Sequence, residues 1–229
     1  MDDSFSDLGL DLFYKQEERM FEWRLDGGFS LLSNNWYGLS EEIDYSDSVI
    51  EAIDEKQKYT EIELGAGLNF YESLIHTGNF TYRSFFDKFD SAEMFASVEA
   101  VIDFPIGQEL MYSEISFDFL DGKFKNDFFQ TEELKYTYFN IGFSPNFEIL
   151  RENLTLNVGA RLYYSITNDF EGSKFYAYPN ITASYNISDE ALIAYAGVIG
   201  DLDQNSYKDF VDENPFVSHT LFIQRTNQQ

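Results

Sequence analysis

The chain has 229 residues, with 41 Asp and Glu against 15 Lys and Arg, so its formal net charge is −26 at pH 7. This excess of carboxylate argues against nucleic acid as a partner, because binding to phosphate depends on many Lys and Arg contacts. The sequence has no Cys, which excludes a disulfide framework and thiolate metal sites. No run of 18 apolar residues occurs, so no transmembrane helix is predicted.

Apolar and polar residues alternate in several runs through the first half of the chain. The runs lie at residues 8–14, 21–31, 62–70, 94–104 and 111–119. Each run predicts a strand with one dry and one wet face, because successive side chains of a strand point to opposite faces of a sheet. A further strand of less regular alternation is predicted before Phe86.

Three longer runs follow one another between Phe139 and Ile187. Apolar residues occupy every second position in 139–149, again in 154–166, and with few exceptions in 175–187. Strands of soluble domains usually last about 5–6 residues, and these runs are roughly twice that length. A strand that crosses a bilayer needs about 9–11 residues, so the runs favour strands of an outer-membrane β-barrel.

The alternation assigns each side chain to lipid or to lumen. The predicted lipid-facing residues are Leu156, Val158, Ala160, Leu162, Ile181 and Ala183. The predicted lumen-facing residues are Asn157, Arg161, Thr182 and Ser184. An Arg on the lipid face would cost about 2–4 kcal/mol at the midplane, so Arg161 is expected in the lumen, where it could pair with a carboxylate such as Glu99 or Glu114.

The connections between the predicted strands alternate between short and long. Short turns are expected near 72–73, 105–109, 150–153 and 188–190, and longer connections near 34–58, 87–91, 121–132, 168–173 and 203–216. Outer-membrane barrels have short periplasmic turns on one rim and longer external loops on the other. We therefore predict an all-β fold, an antiparallel up-and-down meander of about ten long strands that forms part of a transmembrane β-barrel. A large soluble antiparallel sheet is the alternative interpretation.

Both ends of the sequence lack features expected of a complete exported barrel. Residues 1–4 are Met-Asp-Asp-Ser, whereas a secretory signal begins with a basic region and an apolar stretch. Residues 225–229 end without a closing aromatic strand. We expect residues 1–229 to be one barrel segment, with the signal peptide, a plug domain and further strands outside it. The first and last strands should then remain unpaired with each other.

One spacing resembles a calcium-binding loop. Asp201, Asp203, Asn205, Tyr207, Asp209 and Asp212 follow the order of its ligand positions. However, Ser206 stands where such a loop needs Gly, and Asp212 replaces the bidentate Glu. The preferred interpretation is a solvated external loop, without a bound metal or cofactor. No nucleophile–base–orienter grouping is found, so the sequence does not predict an enzyme.

Three segments of the C-terminal half resemble barrel segments of TonB-dependent receptors, which are outer-membrane proteins of Gram-negative bacteria. The segments are residues 153–161 (NLTLNVGAR), 178–185 (YPNITASY) and 212–217 (DENPFV). The resemblance implies an outer-membrane location with lipid as a partner. It also implies TonB-driven uptake of a small-molecule ligand through an N-terminal plug and TonB box, neither of which occurs in these residues.

Two other functions remain open from the sequence. One is a structural or assembly barrel of the outer membrane that transports nothing. The other is a soluble secreted β-sheet module that binds a ligand. A plug domain in the full-length protein would favour the receptor, whereas extraction without detergent would favour the soluble module.

Overall fold

The computed structural model describes residues 4–35, 56–107, 109–125, 132–168, 172–188, 192–218, 220–221 and 223–228. Ten long strands form one antiparallel sheet, in which every strand pairs with its neighbour in sequence. Their bounds are β1 Phe5–Glu17, β2 Phe21–Asn35, β3 Lys56–Phe70, β4 Ile75–Asp87, β5 Ala92–Ile106, β6 Glu109–Phe124, β7 Leu134–Arg151, β8 Leu154–Thr167, β9 Lys174–Ser188 and β10 Leu192–Ile199. The predicted all-β meander of about ten long strands is confirmed.

The register of the strands gives the sheet two chemically different faces. Val158 lies opposite Ile181 on one face, and Asn157 lies opposite Thr182 on the other. Residues directly opposite each other in an antiparallel pair share a face, so the predicted parity of the two side-chain sets is confirmed. We call these the apolar face and the polar face. The apolar face is exposed over most of the sheet.

The connections lie on two rims, as the meander requires. The turns at 18–20, 71–74 and 152–153 lie at one end of the strands, which we call the short-turn rim, and the turn at 88–91 lies at the other end, which we call the long-loop rim. The connections predicted near 34–58, 121–132, 168–173 and 188–190 fall largely on residues outside the described ones. The expectation of a long connection at 87–91 is wrong. Asp87 accepts backbone hydrogen bonds from Phe89 at 2.8 Å and Ser91 at 2.9 Å, which closes a tight turn. Residues 36–55 lie outside the described residues.

The chain after β10 leaves the sheet and folds back over the polar face. We call residues 201–228 the strap, of which 219 and 222 are outside the described part. The strap contains β11 (Asp201–Gln204), the helix α1 (Tyr207–Glu213) and β12 (Arg225–Gln228), and β11 pairs antiparallel with β12. The expectation of a solvated loop at 203–216 is therefore wrong, since Tyr207 and Val211 are buried.

β1 and β10 are the two edge strands of the sheet. Within the described residues β1 pairs only with β2 and β10 only with β9, as predicted for the first and last strands. β10 ends opposite Asn180, where the Gly200 N–H donates to the Pro179 carbonyl at 3.0 Å and the chain turns into the strap. No helix in the described part of the chain is long and apolar enough to cross a membrane.

Candidate functional site

The first turn of α1 is fixed to the polar face by its cap. Ser206 has extended backbone angles (φ −125°, ψ 161°), and its hydroxyl accepts a hydrogen bond from the Asp209 N–H at 3.1 Å. Ser is a favoured N-cap because it satisfies one of the free N–H groups of the first turn. Arg83 of β4 donates to the same hydroxyl at 3.0 Å. The cap is therefore joined to the sheet as well as to the helix.

A buried carboxylate on β5 also binds this turn. Glu93 is 3% exposed and accepts hydrogen bonds from the Tyr207 N–H at 2.6 Å and the Lys208 N–H at 3.3 Å. The Tyr136 hydroxyl donates a third, at 2.7 Å. A negative charge at a helix N-terminus is favoured by the free N–H groups and the helix dipole. Glu93 thus joins β5, β7 and α1 at one point.

Aromatic side chains pack around Tyr207. Its ring lies 4.9 Å from Phe124 and 5.5 Å from Phe85, both in edge-to-face geometry, which is a favourable arrangement of aromatic rings. The hydroxyl donates to Asp87 at 2.9 Å. Burial, followed by the nearby Asp87 charge, raises the pKa of Tyr207. The buried apolar residues of this cluster are Tyr59, Phe85, Leu120, Phe124, Tyr136, Tyr138, Tyr207, Val211 and Ile223.

The two faces of the sheet exchange character near the long-loop rim. Below it the apolar face carries residues such as Phe117 and Phe139, but closer to the rim the same positions hold Asp121, Lys123 and Thr137. At the level of the rim the polar face instead holds buried aromatic residues that contact the strap, among them Phe124, Tyr136 and Tyr138. Near the rim the polar face is therefore apolar and buried and the opposite face is polar, whereas below the rim the arrangement is reversed.

Arg161 lies on the polar face as predicted, but its carboxylate partner is different. It forms an ion pair with Asp201 of the strap, to which the Tyr163 hydroxyl also donates at 2.7 Å. Asp201 can reach Arg161 because β10 ends at Ile199 and the chain then turns back over β8. The expected pairing with Glu99 or Glu114 is not found.

The residues of the calcium-like spacing are separated by the fold of the strap. Asp201 and Asp203 lie in β11, and Asn205 donates to Thr226 at 2.8 Å. Asp209 lies 3.6 Å from Arg83, and Asp212 pairs with Lys208. Among the residues that the structure describes, no three His, Cys, Asp or Glu side chains form a group that could hold a metal ion.

A groove remains uncovered on the polar face of β1–β5. Its volume is about 610 Å³. Part of its floor is formed by Gly28, Gly65 and Gly67, which leave space where side chains would stand. The charged residues that line it are Asp11, Arg24, Asp26, Glu63 and Glu99. Arg24 is paired with Asp26 at 2.5 Å, so the remaining carboxylates give the groove a negative charge.

Sequence reasoning missed Glu93 and Tyr136, and it assigned Tyr207 only to the calcium-like spacing. The signals were present: aromatic residues occupy polar-face positions at 136 and 138, and Ser206, Tyr207 and Val211 have the spacing of a capped helix with one apolar face.

No protein-family model matches the sequence, and no curated protein matches it.

Proposed function

We propose that this chain is part of an outer-membrane β-barrel, of the TonB-dependent-receptor type that segments of its sequence resemble, and that it admits a small solute. The observation that carries the proposal is the exchange of the two faces near the long-loop rim. A soluble sheet keeps its dry side against one core along the whole strand. Lipid around the part of the strands below the rim explains why the exposed face is apolar there. Water around the rim explains why the same face carries polar residues at that level.

The height of the apolar band supports this placement. On β2 the band runs from Phe21 to Leu31, on β6 from Met111 to Phe119, and on β7 from Phe139 to Ile149. These lengths are about 9–11 residues, as a tilted strand needs to cross a bilayer. Aromatic residues stand near both ends of the band, for example Trp23 and Tyr164, as in the aromatic girdles of such barrels.

The continuity of the apolar face argues against the soluble module. One row of directly paired residues crosses six neighbouring strands: Phe80, Val98, Phe117, Ile141, Tyr164 and Phe175. Val98 is 45% and Phe117 42% exposed. Burying a large apolar side chain is worth about 1.5–3 kcal/mol, and a contiguous patch of this kind marks an interaction surface. Lipid is the partner that covers it in this proposal.

The charge of the polar face supports one class of solute. Carboxylates outnumber cationic groups on it: Asp11, Glu22, Asp26, Glu63, Glu99, Glu114, Asp118 and Glu148 lie there with Lys15, Arg24, Arg83 and Arg161. Walls lined with Asp and Glu favour cations, so we expect a small cationic or neutral polar solute. The resemblance adds TonB, acting through an N-terminal region, as the energy-coupling partner.

A barrel with a structural or assembly role is the second candidate, favoured by the extent of the polar face that the strap covers.

Thiol labelling of the Cys-free sequence tests the membrane placement. In membranes from expressing cells, a water-soluble reagent should label Asn157→Cys and Asp121→Cys but not Val158→Cys. Equal labelling at 157 and 158, or extraction without detergent, would contradict the barrel. Uptake of a small cation by vesicles containing the protein, compared with an anion of the same size, then separates transport from a structural role.

A further inference from the structure

The strap reaches across most of the polar face. At one side the Pro215 carbonyl accepts hydrogen bonds from the Tyr59 hydroxyl of β3, at 2.9 Å, and from Asn34 of β2. At the other side Asn227 is hydrogen-bonded to the Tyr178 hydroxyl of β9. Between them Gln204 contacts Asn140 of β7 at 3.2 Å. In a sheet that curves around a lumen, a segment with these end points crosses the lumen.

The contacts of the strap are those of a folded core and not of a mobile lid. Tyr207, Val211 and Ile223 are each at most 2% exposed, and the Ile223 carbonyl accepts from the Tyr138 hydroxyl at 2.8 Å. Lys208 lies 3.5 Å from Glu61, with both side chains largely buried. Regions with this density of buried contacts open only rarely.

We propose that the strap is a permanent constriction of the lumen, which covers the polar face from β2 to β9 and leaves the groove over β1–β5 beside it as the path for a small cation. The inference rests on the proposed function, since only a sheet that surrounds a lumen can be constricted. It is carried by two observations together, the anchored crossing of the strap and the uncovered groove of about 610 Å³ beside it. Gly28, Gly65 and Gly67 form part of the groove floor, and they carry no side chains that would fill it.

Accessibility of single cysteines in the full-length, membrane-embedded protein tests whether the strap covers the wall. Asn140 is 2% exposed beneath Gln204, whereas Asn79 is exposed in the groove. A bulky water-soluble thiol reagent should label Asn79→Cys and leave Asn140→Cys unlabelled. In the variant with Tyr207→Ala and Val211→Ala, labelling at 140 should become about tenfold faster. Labelling of Asn140→Cys as fast as Asn79→Cys with the strap intact would overturn the proposal.

Single-channel conductance in planar bilayers provides a second measurement. Release of the strap by Tyr207→Ala and Val211→Ala should raise the conductance about twofold or more. Tyr195→Ala, which removes a ring that is 77% exposed, is the matched control and should leave the conductance unchanged. Equal conductance with the strap seated and released would overturn the constriction.

The same experiments separate failure of this inference from failure of the proposed function. Protein found in the soluble fraction, with no conductance in any form, would overturn the barrel and the constriction with it. Conductance that is equal with the strap seated and released would overturn the constriction and leave the barrel standing.

Discussion

Tyr136 of β7 reaches across β6 and donates a hydrogen bond of 2.7 Å to the buried carboxylate of Glu93 on β5. It can do so because the residue between them, opposite both, is Gly122. A Cβ at position 122 would lie 2.1 Å from the Tyr136 ring. This hydrogen bond positions the Glu93 carboxylate, which in turn accepts hydrogen bonds from the first N–H groups of α1. The docking of the strap on the sheet therefore depends on Gly122.

Gly122→Ala should destabilise the strap. The added methyl group must displace the Tyr136 ring from a packed cluster, and overpacking of this kind costs about 1–3 kcal/mol. Trypsin cleavage after Lys208, which is largely buried, should become faster under native conditions. Gly9→Ala is the matched control, since nothing lies within 4 Å of its added Cβ. Equal effects of the two changes would show that Tyr136 does not need the space.

Glu93→Ala should lower the free energy of unfolding of the rim by about 3 kcal/mol, because three buried donors lose their acceptor. Near-UV circular dichroism, which reports the packed tyrosines, should show the loss as a lower unfolding midpoint in denaturant. The control is Glu99→Ala, an exposed carboxylate on the same strand, for which a change within about 0.5 kcal/mol is expected. A Glu93 variant as stable as the control would remove Glu93 as the anchor of α1.

Tyr207→Ala should be more damaging than Tyr207→Phe. The first leaves a cavity in the aromatic cluster and should cost about 3–5 kcal/mol, whereas the second removes only the hydrogen bond to Asp87 and should cost about 1 kcal/mol. Tyr195→Ala makes the same chemical change at a site that is 77% exposed and should be nearly neutral. The same denaturant series measures all three. Similar losses for Tyr207→Ala and Tyr195→Ala would contradict the buried position of the ring.

Alkaline pH should loosen the strap. Burial raises the pKa of Tyr207 above that of the unfolded chain, which is about 10. The stability contributed by the neutral hydroxyl is therefore fully present below pH of about 10 and declines as the pH rises above it. Near-UV circular dichroism between neutral and strongly alkaline pH should show this loss, and Tyr207→Phe should make it less steep. An equally steep loss in Tyr207→Phe would assign the effect to other groups.

Arg substitutions on neighbouring residues should separate the two faces of β8. Val158→Arg places a charge on the apolar face and should cost about 2–4 kcal/mol if that face meets lipid near the midplane. Asn157→Arg places the same group on the polar face and should be tolerated. The fraction of protein that assembles into lipid vesicles measures both. Equal assembly of the two variants would contradict a lipid-covered apolar face.

The sequence by itself determined nine of the ten long strands, their order and the faces of the side chains in their alternating runs. Alternation with a period of two is a local property, and short turns hold neighbouring strands in register. For this reason Val158, Ile181, Asn157 and Arg161 lie on the faces that the sequence predicts.

Only the tertiary structure decided what covers the polar face. Glu93 and Tyr207 are 114 residues apart in sequence, and Arg161 meets Asp201 forty residues later, in a segment whose spacing resembled a calcium loop. Such contacts leave no periodic pattern, because they depend on where the chain turns after β10 and which side chains it then meets. The exchange of faces at the rim is visible in the sequence as aromatic residues at 136 and 138, but only the tertiary structure shows that the strap buries them.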